Sequence, residues 1–202
     1  AEAANAGMKV EGHIQTPEGA RRAIEAGLWS LAHDEPLNDE LHKMMAEKGI
    51  FRAGTETPAT AWSRTSQAAF ERRVELLRNA YDNGVNLTFS TDADYYIPGM
   101  TRGELVIDFI KTWQAAGIPD AKILEIMTIN GYKCAETYDQ RGPIRPGMAA
   151  DMIAVPGNPL EDIDALRDVQ FVMKDGMVFK RDGVVTPEVF FNAGPVNGWR
   201  IR

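Results

Sequence analysis

One unit recurs four times in the first 117 residues: a short apolar stretch, then an amphipathic segment closed by glycine. The apolar stretches are residues 8–13, 28–32, 50–53 and 85–88. Each is short and rich in apolar side chains, as a buried strand requires. The first amphipathic segment opens on Thr16-Pro17-Glu18, an N-cap, a proline at the first helical position and an early acid. It carries Ala20, Ala23 and Ile24 on one face and stops at Gly27. The second is capped by Asn38, buries Leu41, Met44 and Met45, and closes at Gly49. The third, residues 67–83, repeats Phe70, Val74, Leu77 and Tyr81 at helical spacing and ends at Gly84. The fourth is capped by Thr101, carries Leu105, Phe109 and Trp113, and ends at Gly117. Strand and helix alternating in this way predict a parallel sheet with helices outside it. A further helix is expected over 120–130, with Ile123, Ile126 and Met127 inside.

The pattern changes after Tyr138. Gly142-Pro143-Ile144-Arg145-Pro146-Gly147 is turn chemistry, and short strands are expected at 151–155, 169–174 and 177–180. Asp175-Gly176 joins the last two as a hairpin. The expected division is therefore 1–138 for the α/β part, 139–185 for a small β unit and 186–202 for an irregular tail. The first seven residues read as the end of a helix, which implies that a preceding part of the domain is missing.

Composition narrows the function classes. Net charge is −7, from 22 basic and 29 acidic residues, which disfavours a nucleic-acid surface. No apolar run has the roughly 20 residues that a membrane-spanning helix needs. A single cysteine, Cys134, forms no internal disulfide and suits a reducing compartment, so a cytoplasmic location is expected. Cys134 itself reads as a buried small hydrophobe.

The candidate chemistry lies where the strands stop. Phe89-Ser90-Thr91-Asp92-Ala93-Asp94 follows the fourth apolar stretch, while His13 and His33 close the first and second. In a barrel or an open α/β sheet those ends face one crevice. Two imidazoles and a carboxylate are ligand types for zinc and similar ions, but their wide spacing forms no short motif, and a lone strand-end histidine is also a common structural residue. Asp92 is the functional acid of its pair; Asp94, at the start of the loop, suits a turn or a supporting role. Tyr95 and Tyr96 either line a substrate pocket or cover the barrel end. Glu35 either leads into a helix or touches the site. His42, among polar neighbours, reads as a surface residue.

Three segments together resemble the C-terminal half of the amidohydrolase superfamily, in its imidazolonepropionase-like and prolidase-like branch. The first is Gly12-His13 with Thr16-Pro17-Glu18-Gly19 and, further on, Ser30-Leu31-Ala32-His33. The second is Ser90-Thr91-Asp92-Ala93. The third runs from Gly142 to Val155 and continues in Asn158-Pro159-Leu160 and Lys174-Asp175-Gly176. The resemblance implies the C-terminal half of a distorted TIM (β/α)8 barrel, about four β/α units, with part of a small β-sandwich. It implies His13, His33 and Asp92 as metal ligands at the ends of the fifth, sixth and eighth strands, with zinc as the divalent ion. Asp92 is also implied as the group that takes a proton from the attacking water. The implied substrate is a small amide, cyclic amide or dipeptide, cleaved at a C–N bond. Two departures follow. The first-strand His-x-His pair and the fourth-strand lysine or glutamate are absent, which calls for a missing N-terminal half or self-association as partner. Thr16 stands where the superfamily's deaminases carry glutamate, which favours hydrolysis. Asp34 also replaces a frequent glycine. The competing expectation is a non-catalytic half-barrel serving as a binding or scaffold subunit.

Overall fold

A computed structural model describes residues 2–33, 37–59, 66–93 and 97–186. Glu35, Asp94, Tyr95, Tyr96 and nearly all of the expected tail lie outside the described residues.

Four short strands, β1 (Glu11–His13), β2 (Ser30–Ala32), β3 (Phe51–Gly54) and β4 (Asn86–Phe89), form one parallel sheet in that order. After a short first helix, α1 (Glu2–Asn5), the helices α2 (Pro17–Glu25), α3 (Asp39–Lys48) and α4 (Gln67–Asp82) connect them. The caps anticipated from sequence are made. Thr16 Oγ1 accepts the Gly19 N–H at 3.2 Å and Asn38 Oδ1 the Leu41 N–H at 3.0 Å, and a cap not anticipated forms where Ser66 Oγ accepts the Ala69 N–H at 3.2 Å. Gly49, at φ +67°, closes α3 in the left-handed conformation that glycine adopts without strain.

Register sorts the sheet into two faces. Leu31, Arg52 and Leu87 pair laterally and share one face. Around Leu31 and Leu87, Ile24, Leu41, Met45, Leu77, Trp113 and Ile123 form the core. His13, Ala32, Ala53 and Thr88 form the opposite row, at the carboxyl end of the sheet.

Two helices differ from their expected outline. The segment after Thr101, which makes a full capping box with Glu104, divides at Phe109 into α5 (Arg102–Asp108) and α6 (Ile110–Ala115). The helix expected over 120–130 begins as α7 (Asp120–Glu125), widens into a π turn at Ile126–Asn130 and continues as α8 (Gly131–Cys134). At that turn Asn130 Nδ2 donates to the Leu87 carbonyl at 2.9 Å, which ties the widened helix to β4.

His42 is a correction. It is fully buried, not on the surface, because α3 turns it toward α4, where its Nδ1 lies 2.5 Å from Asn79 Oδ1. Asn79 in turn donates to Asp39 at 2.9 Å. Burial holds the His42 imidazole near a pKa of about 4, so it sits in the core as a neutral ring.

The second sheet is antiparallel: β5 (Met152–Ala154), β6 (Phe171–Lys174), β7 (Met177–Arg181) and β8 (Val184–Val185). Asp175 and Gly176 take φ +49° and +78°, the primed-turn geometry that matches strand twist. A second Asp-Gly turn, Asp182-Gly183 at +50° and +78°, adds β8, which was not anticipated. Arg141 bridges Asp151 and Asp175, the latter at 2.6 Å, and the Asp175 N–H donates to Asp151 at 2.7 Å. This explains why the turn-rich segment at 142–147 and the hairpin belong together. The connecting segment docks on the helical layer: Ile163 and Leu166 enter the core, and Arg167 reaches the buried Asp108 at 3.0 Å. No helix among the described residues is long and apolar enough to cross a membrane.

Candidate functional site

The site is built at the carboxyl ends of the parallel strands. His13 is the last residue of β1 and is exposed; His33 follows β2 directly. Because β1 and β2 are adjacent and in register, the two rings meet. His13 Nδ1 and His33 Nε2 lie 2.6 Å apart, with the rings edge to face at 4.2 Å between centroids. The far nitrogen of His33, Nδ1, is 3.3 Å from Thr55 Oγ1 on the loop after β3. Asp92 lies three residues beyond the end of β4 and is exposed.

His33 (φ +72°) and Asp92 (φ +44°) occupy the left-handed region. The other described non-glycine residues there are Glu136, Asp175 and Asp182. The last two make the Asp-Gly turns, and Glu136 follows the end of α8. Such backbone costs about 1–3 kcal/mol per residue and gathers where function maintains it. Two of the three strand-end candidates share it.

The pair suits a divalent ion. Imidazole nitrogens are zinc-type donors, and these two face one another across the strand ends. Nitrogens sharing a tetrahedral zinc with bonds of 2.0–2.1 Å would sit about 3.3 Å apart, a movement of well under an ångström from their 2.6 Å separation. Among the described residues no group of three or more His, Cys, Asp or Glu side chains could hold a metal ion, so the structure joins His13 to His33 without bringing Asp92 to them as a third member.

Sequence reasoning missed a buried ion pair on β3 and the loop that follows it. Arg52 Nη1 donates to Glu56 Oε1 at 2.6 Å, and both side chains are fully buried. Gly54 between them has no room for a side chain: a Cβ there would lie 1.9 Å from Glu56 Oε1. The available signal was an arginine inside an apolar strand with an acid four residues later. Thr16, in contrast, is occupied by its cap on α2.

A cleft of about 420 Å³ opens on the face that carries Ala53 and Thr88, closed on one side by Gly131, Cys134 and Ala135. Trp29 Nε1 donates to the Cys134 carbonyl at 2.8 Å, and the Lys9 ammonium lies 4.2 Å from the Trp29 ring centroid. Cys134 is half-buried, and burial raises its thiol pKa.

The Amidohydrolase family profile matches residues 1–179. The chain is similar to an ochratoxinase of Aspergillus niger, 27% identical over 200 residues that cover 91% of this chain and 40% of that protein. An adenine deaminase of Clostridium botulinum is 25% identical over 194 residues, 93% of this chain and 29% of that protein. Among solved structures, a Xaa-Pro dipeptidase with methionine bound in its active site superposes with a TM-score of 0.73 at 29% identity, covering 88% of this chain and 46% of that one. The chain thus spans less than half the length of these relatives. Four β/α units with a β appendage are what half of such a barrel contains. The chain belongs to the amidohydrolase family, on its prolidase-like branch.

Proposed function

We propose that this chain is the C-terminal part of a metal-dependent hydrolase that cleaves a C–N bond in a small amide, cyclic amide or dipeptide. The observation that carries the reading is the convergence of His13 Nδ1 and His33 Nε2 at the end of a parallel sheet. The ochratoxinase and Xaa-Pro dipeptidase relatives support the substrate class. Thr16, spent on its helix cap, favours hydrolysis over deamination. The working division is a partial barrel over 1–138 and a partial β-sandwich over 139–185.

His13 and His33 would hold the ion, zinc on the chemistry of the donor set, and Asp92, three residues beyond β4, would have to move in to complete the set. When bound, such an ion polarises the substrate carbonyl and acidifies water. Asp92 accepts the proton of the attacking water and returns it to the leaving nitrogen. Tyr95 and Tyr96, which follow Asp92, would contact substrate.

A closed barrel needs about eight strands. The sheet described has four, with β1 at one edge and Met8 and Val10 exposed beside it. Activity therefore needs a partner, either an N-terminal half or another copy of the chain. A second reading, a binding or scaffold subunit without catalysis, is favoured by the histidine pair standing without a third His, Cys, Asp or Glu among the described residues. The experiment is Asp92→Asn in the full-length protein, assayed on dipeptides and cyclic amides with added zinc. Loss of turnover with the fold intact is expected; undiminished turnover removes Asp92 from the mechanism, and a wild-type protein without turnover favours the scaffold.

A further inference from the structure

We propose that Thr55 is a positioning residue that fixes the tautomer and aim of His33, and that the buried Arg52–Glu56 pair holds Thr55 in place. The proposal rests on the metal-site reading above and adds the group behind the ligand.

A neutral imidazole carries one proton on one of its two nitrogens. His33 can present a lone pair at Nε2, toward His13, only when the proton is on Nδ1. Thr55 Oγ1, at 3.3 Å from Nδ1, has the hydroxyl lone pairs to accept that proton, and in accepting it selects this tautomer. The Nε2 lone pair then faces His13 Nδ1, which lies 2.6 Å away. His33 holds its ring there from a left-handed backbone, a conformation that needs support from its surroundings.

A threonine on a free loop would be a weak guide, but this loop is fixed on both sides. Glu56, the next residue, is bound to Arg52 at 2.6 Å in full burial. Gly54, the preceding residue, lies so close to that pair that no side chain fits. The Thr55 carbonyl accepts the Thr57 N–H at 2.7 Å and the Thr57 hydroxyl at 3.2 Å, and Arg73 of α4 donates to the Thr57 carbonyl at 3.2 Å. The ion pair is thus placed to hold the loop on which the ligand's acceptor stands. Buried ion pairs are weak contributors to stability, whereas holding geometry is a use that suits them.

The test uses the full-length protein without and with zinc. This chain contributes three histidines, and each ring can be assigned in a nitrogen-15 spectrum by substitution. Wild type should show His33 protonated at Nδ1 at a pH where the ring is neutral. Thr55→Val should give a tautomer mixture and lower zinc affinity about 10–100-fold in a chelator competition. Thr55→Ser should restore both readings. Glu56→Gln should move them in the same direction as Thr55→Val. Thr55→Val with an unchanged tautomer and unchanged affinity overturns the proposal. A tautomer that depends on Thr55 in a protein that binds no zinc supports the positioning role and overturns the metal reading instead.

Discussion

The two sheets of this molecule are held by different means. The parallel sheet has short strands, but one face is sealed by a continuous apolar layer around Leu31 and Leu87. The antiparallel sheet contains no fully buried strand residue; its strands are intermediate or exposed throughout. Its shape comes from two Asp-Gly turns and from Arg141, which links Asp151 to Asp175. Burial makes the first sheet a rigid platform, and the histidine pair stands on its end. Turn geometry and partly screened ion pairs make the second an attached unit, which should open at lower free energy.

The largest effect should come from the platform. Leu31→Ala removes a fully buried side chain and should destabilise the protein by about 3 kcal/mol, within the usual 2–5 for such a cavity. Val172→Ala, the corresponding truncation in β6, should cost about 1 kcal/mol, because its site is already partly open. Urea unfolding of both variants measures the contrast; equal costs would remove it.

Acid should act next, and through the platform. The folded-state pKa of His42, about 4, lies below its ordinary 6.5 because burial disfavours the charged ring. Asn79 and Asp39 favour the charge and Arg52 opposes it. A depressed pKa contributes stability that is fully present above pH 6.5 and is lost as pH falls through 4. The loss is on the order of 3 kcal/mol when complete. His42→Gln should flatten the stability profile between pH 6.5 and 4, even if it lowers stability at pH 7. Parallel profiles for wild type and variant would show that His42 does not titrate in this way.

The smallest effect should be local. Arg141→Ala removes partly exposed, solvent-screened ion pairs and should lower global stability less than either truncation. Hydrogen exchange should quicken in β6 and β7 while β2 and β3 keep their protection. Equal quickening in both sheets would mean that the two units open together.

What was legible in the sequence was local. Thr16, Asn38 and Thr101 cap helices through neighbours three residues away, and Asp175-Gly176 turns within two residues, so each signal is contained in a short window. The parallel order followed from repetition of the strand–helix unit. What escaped depends on distant partners. A polar residue beside Leu41 reads as exposed until Asn79, 37 positions later, is known to cover it. Arg52 and Glu56 likewise look ordinary in a short window, and only the folded chain shows that both are fully buried. The π turn was not legible because the widening answers β4, through Asn130 and the Leu87 carbonyl. At the site, strand ends pointed to His13 and His33 as candidates, but their contact depends on register between β1 and β2, and Thr55 depends on β3 as well.

The central claim is that the end of the parallel sheet holds a divalent ion through His13 and His33. The most direct measurement is X-ray absorption at the zinc edge on the intact protein, beside the zinc retained after dialysis by wild type and by the His13→Ala, His33→Ala double variant. The account predicts zinc with imidazole nitrogen in its first shell at 2.0–2.1 Å, and its loss in the double variant. Zinc retained undiminished by that variant, or a shell without imidazole, would contradict it.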